Sequence, residues 1–107
     1  GDYGPAEILY KRAVAILENS FDRNHPRMAG VLQGLADVYA ARGENAAAEA
    51  LLKRALEIRL TALGGQHPSV AVTLEKLSAV YAKQNKSAEA KQSADRAAAI
   101  RLATLRK

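Results

Sequence analysis

Cysteine is absent from this sequence, which excludes structural disulfides and thiolate metal sites. The absence fits a reducing compartment, and a cytoplasmic location is the expectation. No apolar run approaches the ~20 residues that a membrane-spanning helix needs, so no membrane is expected as a partner. No signal-peptide pattern is read at its start, which says little because the chain is expected to begin within a repeat. Aromatic residues make up only 5% of the sequence, against 49% hydrophobic residues rich in alanine. That balance suits helices that approach closely rather than a large aromatic core.

Acidic residues are also outnumbered, 11 against 16 basic ones, for a net charge of +5. A basic excess raises the question of nucleic acid. Here the cations are dispersed along the chain. Lys11-Arg12 and Lys53-Arg54 each follow a carboxylate, Glu7 or Glu49, by four residues. This spacing lets opposite charges meet on a helix surface. Arg96, Arg101 and Arg106 recur every five residues, stepping about 140° round a helix each time, so they form no stripe. Dispersed charge without interleaved aromatics argues against nucleic acid as a partner.

Catalytic signatures are missing as well. Gly64-Gly65 has no preceding strand and no phosphate-cradling lysine, so it is neither a P-loop nor a dinucleotide fingerprint. Carboxylates stand singly rather than in the pairs that acid–base catalysis uses. His25 and His67 each precede a proline in corresponding places. Equivalent atoms of stacked units lie more than a helix packing distance apart, roughly 8–10 Å, too far to share one ion. The two histidines are expected to start the helices that follow, with side chains near the first free N–H groups. No catalytic residue, metal or cofactor is expected, and the chain does not read as an enzyme.

What the sequence does have is a period of 42 residues. His25-Pro26 returns as His67-Pro68, and Leu32, Leu35, Val38 and Tyr39 return as Leu74, Leu77, Val80 and Tyr81. Lys11-Arg12-Ala13 and Ile16 become Lys53-Arg54-Ala55 and Ile58, then Asp95-Arg96-Ala97 and Ile100. A period of this size marks a stack of supersecondary units, each burying its apolar face on its neighbours. Within the period, apolar residues follow helical i, i+3, i+4, i+7 spacing, as at Leu32, Leu35, Ala36 and Tyr39. Pro26 and Pro68 suit the first turn of a helix, while Gly43, Asn85 and Gly64-Gly65 suit helix ends. These signals predict helices near 5–20, 26–42, 46–63, 68–84 and 88–104, antiparallel in sequence order across short connections.

Five helices leave one without a mate. The first, rich in apolar residues including Ile8, Leu9 and Ile16, aligns with the second member of each later pair. The last carries Ser93, Ala94 and Ala98 where the middle repeat has Leu51, Leu52 and Leu56, the more polar face that a terminal repeat needs. The expectation is therefore the C-terminal end of a longer array. It would be one domain over residues 1–107: a lone second helix over 1–20, a repeat over 26–63 and a C-terminal repeat over 68–105.

The phrases LYKRA at Leu9–Ala13, LLKRALEIR at Leu51–Arg59 and LGGQHPSVAVTL at Leu63–Leu74 resemble the tetratricopeptide repeat in its 42-residue, kinesin-light-chain-like form. Leu35-Ala36-Tyr39 and Leu77-Ser78-Tyr81 match its first-helix pattern; Ala48, Leu52 and Ala55, then Ala90, Ala94 and Ala97, match its second. The resemblance implies an all-α solenoid of antiparallel helix pairs, about two and a half repeats long, that binds a partner protein or peptide. In this family the first helices line a concave groove. By that analogy the groove holds Gly30, Gln33, Gly34, Asp37 and Ala41, then Val72, Glu75, Lys76, Ala79 and Lys83. Grooves that grip a C-terminal carboxylate carry lysine, arginine and asparagine there, and kinesin-light-chain repeats usually carry an asparagine pair. This chain instead has Gln33-Gly34 and Glu75-Lys76, and Asp37 and Glu75 would repel a carboxylate. A partner bearing Lys or Arg is expected, with Gln33, Asp37, Glu75, Lys76 and Lys83 setting its register. The alternative is homo-oligomerisation, with Ile8, Leu9 and Ile16 as the contact face of a homodimer.

Overall fold

The computed structural model describes residues 3–19 and 24–106. Among these residues the chain forms five helices: α1 Gly4–Glu18, α2 Pro26–Ala41, α3 Asn45–Leu63, α4 Pro68–Lys83 and α5 Ser87–Leu105. These differ from the expected spans by at most two residues at each end, and the expected end of α1 at residue 20 lies outside the described residues. No described helix is long and apolar enough to cross a membrane.

Local chemistry sets the helix boundaries. Pro26 and Pro68 open α2 and α4, where a missing N–H costs nothing. In front of each stands a histidine with extended backbone. His25 Nδ1 accepts a hydrogen bond from the Arg27 N–H at 3.1 Å, and His67 Nδ1 accepts one from the Ser69 N–H at 3.0 Å. Each imidazole thus satisfies a helix-start donor that would otherwise lack a partner. At the far ends, Gly43 and Asn85 turn left-handed with φ of 81° and 62°. The turn directs the Glu44 N–H back to the Tyr39 carbonyl at 2.8 Å and the Lys86 N–H to the Tyr81 carbonyl at 2.9 Å. The bonds from Gly43 to Ala40 and from Asn85 to Ala82, each 3.0 Å, complete a Schellman cap at both sites.

The most extensive helix contacts pair α2 with α3 and α4 with α5, while α3–α4 and α1–α2 form the joints between pairs. Inside the first pair, Met28, Ala29 and Leu32 of α2 close on Ala55 and Ile58 of α3. Val70, Ala71 and Leu74 of α4 close on Ala97 and Ile100 of α5 in the same way. Between the pairs, Leu52 and Ala48 of α3 and Ala36 of α2 meet Leu77, Val80 and Tyr81 of α4. The alanines at 48, 55 and 97 are essentially fully buried, so the backbones approach as their small side chains predict. Full burial of a side chain like Leu52 contributes about 1.5–3 kcal/mol.

The two ends of the stack differ. α1 packs on α2, and among the described residues no helix covers its other side, which leaves Ile8, Leu9 and Ile16 at 56%, 64% and 70% exposure. At the other end Leu102 and Leu105 of α5 are 51% and 81% exposed. Together with Ala94 and Ala98 they line a hollow of about 490 Å³ against α4. The outer face of the last helix is therefore less polar than Ser93, Ala94 and Ala98 alone suggest.

Candidate functional site

Three polar clusters stitch successive helices together. The first centres on Glu7, which holds Lys11 at 2.9 Å one helical turn on, accepts the Tyr39 hydroxyl at 3.2 Å and pairs with Arg42. Glu49, one period later, repeats the arrangement. It holds Lys53 and Lys86, each at 3.0 Å, and accepts Gln84 Nε2 at 2.9 Å. Lys11, with Arg42 next, pulls the Glu7 carboxyl down to about 2. Lys53, then Lys86, does the same to Glu49. Each glutamate thus ties a second-type helix to the loop that ends the next first-type helix.

The second cluster involves the expected groove residues. Lys76 Nζ of α4 lies 3.0 and 3.1 Å from the two carboxylate oxygens of Asp37 on α2, bridging the two repeats. Glu75 is held by Arg101 of α5 through two hydrogen bonds of 2.7 Å. That contact lowers the Glu75 carboxyl pKa and raises the Arg101 pKa. Both carboxylates expected to anchor a basic partner therefore carry a cation of the chain's own. Asp37 keeps half its side-chain surface open. Lys83 is exposed at the end of α4, and no described residue pairs with it.

Gln33 sits in the third cluster, part-buried between the repeats. Arg59 of α3 donates to Gln33 Oε1 at 2.6 Å and to Thr73 Oγ1 at 2.8 Å. The Thr73 hydroxyl lies 3.1 Å from Gln33 Oε1 and 3.2 Å from the Ser69 carbonyl, with one proton to offer between them. Burial lowers the Arg59 pKa, since its acceptors here are neutral. Gln33 and Arg59 occupy the period positions of Glu75 and Arg101. Sequence reasoning overlooked this network, although the period signalled it: the two sequence separations are equal.

Small side chains shape the surface beside these clusters. Gly30, Ala41 and Ala79 are exposed. Gly34 gives room to the Tyr10 ring of α1, whose hydroxyl oxygen would lie 2.8 Å from a Cβ there and whose ring carbons would lie closer still. The histidines act as caps, and no group of three metal-ligating side chains occurs among the described residues. Ile8, Leu9 and Ile16 share α1 and stay exposed, whereas the Asp37–Lys76 bridge joins α2 to α4.

A family model for the tetratricopeptide repeat matches residues 1–61 and 27–103. BtubC (BKLC) from P. vanneervenii is similar in structure, with a TM-score of 0.85 and 29% identity over 92% of this chain and 40% of that one. The nearly identical TPR-like repeats of a putative kinesin light chain from Podosopora anserina are similar too, at a TM-score of 0.85 and 27% identity over 94% of this chain and 47% of that one. A point-substituted form of that protein gives the same values. This chain thus spans less than half the length of these solved relatives. No curated protein sequence matches it. With the family model covering nearly the whole chain and the helix pairs stacked on a 42-residue period, the chain belongs to the tetratricopeptide repeat family, in its kinesin-light-chain-like form.

Proposed function

We propose that this chain is a protein–protein interaction module whose partner segment lies along the surface shared by α2 and α4. Tetratricopeptide repeats generally mediate protein–protein interaction, and the family is typically a non-enzymatic scaffold. The observation that carries the reading is the Asp37–Lys76 bridge between exposed small residues. Gly30, Ala41 and Ala79 let a backbone come close, while the bridge offers an acceptor and a donor at a fixed place between the repeats. A basic side chain of the partner would share Asp37, whose open half accepts a second cation. Lys83 would meet a carbonyl or a carboxylate further along. Gln33 would act from beneath, by holding the two repeats in register through Arg59 and Thr73.

The test compares the native chain with Asp37→Lys and with Ile16→Lys as baits for partner capture. Loss of the captured protein with Asp37→Lys and its retention with Ile16→Lys is the expected result. Equal retention by both would remove the partner from the α2–α4 surface.

The second reading, homo-oligomerisation, is favoured by the exposure of Ile8, Leu9 and Ile16 on α1. An exposed apolar strip of this kind would serve as an association face. Sedimentation of the native chain against a Leu9→Lys, Ile16→Lys variant decides it: a dimer lost with the variant supports association through α1, and a native monomer rules it out.

A further inference from the structure

The period makes it possible to compare equivalent clefts between successive second-type helices, and the two clefts differ. Between α1 and α3, Leu51 packs into the two neighbouring core clusters. Arg54 then closes the cleft by pairing with Glu18 of α1 at 2.6 Å. Between α3 and α5 both devices are gone. Ser93 replaces Leu51, and Leu60 stands at the position of Glu18. Leu60 packs inward against the α4–α5 core, so Arg96, the counterpart of Arg54, has no carboxylate partner among the described residues. The result is an open cleft of about 510 Å³, floored by Leu56, Leu74 and Leu77 and rimmed by Lys53, Ser93 and Arg96.

We infer that this α3–α5 cleft is a second binding site, for an acidic–apolar segment of a protein partner. The missing Leu51-type side chain leaves a hollow beside part-exposed Leu56, above the closed core of Leu74 and Leu77, and the missing Glu18-type carboxylate leaves a guanidinium uncompensated at its edge. A leucine-like residue followed by Asp or Glu restores both at once. The guanidinium offers paired donors that match a carboxylate. Lys53 already serves Glu49, so the discriminating charge is Arg96. The occupant is a peptide segment because the equivalent cleft is filled by protein side chains, Leu51 and the Arg54–Glu18 pair, and this one carries the matching cation, unpaired among the described residues. This site is separate from the α2–α4 surface and does not depend on it.

The test is a titration of the isotope-labelled 107-residue chain, followed by amide NMR shifts. The probes are the blocked hexapeptide acetyl-GLELEG-amide and its glutamine counterpart acetyl-GLQLQG-amide. The expected result is saturable shifts confined to the resonances of Leu56, Leu77 and Gln92–Arg96. The glutamate peptide should bind about fivefold tighter than the glutamine peptide, the size of one partly exposed ion pair. Arg96→Gln should erase that difference while leaving the fold intact, and Ser93→Leu should refill the cleft and abolish both titrations. The inference is overturned by equal affinities of the two peptides, by shifts that survive Ser93→Leu or map to α2 and α4, or by no saturable shift with peptide at about 10 mM.

Discussion

Glu75 receives two hydrogen bonds of 2.7 Å from Arg101, whereas Gln33, one period earlier, receives one of 2.6 Å from Arg59. The two pairs are the same construction with and without a carboxylate. In the inner pair the arginine is part-buried with neutral acceptors, and its pKa falls accordingly. Gln33→Glu should restore the missing charge with almost no change of shape. A charge-assisted bond is roughly twice as strong as a neutral one, and the Thr73 hydroxyl can still donate to the new carboxylate. Placing that carboxylate between the repeats costs some desolvation, so the expected net gain is about 1 kcal/mol. Chemical denaturation checks it, and a loss of stability would show that desolvation wins.

Gly43 and Asn85 close α2 and α4 in the left-handed region. Nothing lies within 4 Å of a Cβ placed on Gly43, so any cost there is backbone strain alone. Gly43→Ala should destabilise by about 1–2 kcal/mol. Asn85→Gly relieves the same strain and should be neutral or stabilising, while Asn85→Ala should cost about 1 kcal/mol. If thermal unfolding ranked the three variants otherwise, the Schellman caps would not control these helix ends.

Most of this fold is legible in the sequence because its determinants recur. Proline after histidine, glycine or asparagine at the stop, and leucine and alanine on a helical spacing each occur at the same phase of the period. Periodicity also points to the exposed face of α1, since Ile8, Leu9 and Ile16 lie on the helix that the period leaves unpaired among the described residues. The electrostatics of the groove are less legible. Spacing along a single helix makes Glu7–Lys11 and Glu49–Lys53 visible. Asp37–Lys76, Glu75–Arg101 and Gln33–Arg59 cross between helices, and their partners depend on how the helices meet. The α3–α5 cleft is hidden for the same reason: Ser93 and Leu60 are ordinary helix residues until set beside Leu51 and Glu18.

Tyr10 and Gly34 form a size-matched contact that fastens α1 to α2. A methyl group at Gly34 would meet the ring and its hydroxyl at 2.8 Å or less, closer than real contacts allow. Alanine in place of glycine within a helix gains about 1 kcal/mol of propensity, but overpacking costs about 1–3 kcal/mol. The expected balance for Gly34→Ala is a loss of about 1 kcal/mol, with hydrogen exchange rising first in α1. Removing the ring should rescue it: Gly34→Ala added to a Tyr10→Ala background should stabilise. A Gly34→Ala effect independent of residue 10 would refute the contact.

The Glu7 and Glu49 clusters make acid sensitivity a property of the joints between helices. Both carboxyls sit at about 2 in the folded chain, held first by Lys11 and by Lys53 respectively, against an ordinary glutamate value near ~4.3 when unfolded. A depressed folded value means that the unfolded chain binds protons more readily. The stabilisation is therefore complete above about pH 5 and is lost as pH falls through about 4 towards 2. Glu49→Gln removes one of the titrating groups. Its melting temperature should lie below that of the native chain near neutral pH, and the gap should narrow steadily between about pH 5 and 2. Melting curves in low and high salt supply a control. Because Lys53, Lys86, Lys11 and Arg42 are all partly exposed, the gap should also shrink as salt screens them. A gap that stays constant with pH would mean that the substituted glutamine merely packs worse, and that the lysines around Glu49 do not hold its carboxyl ionised.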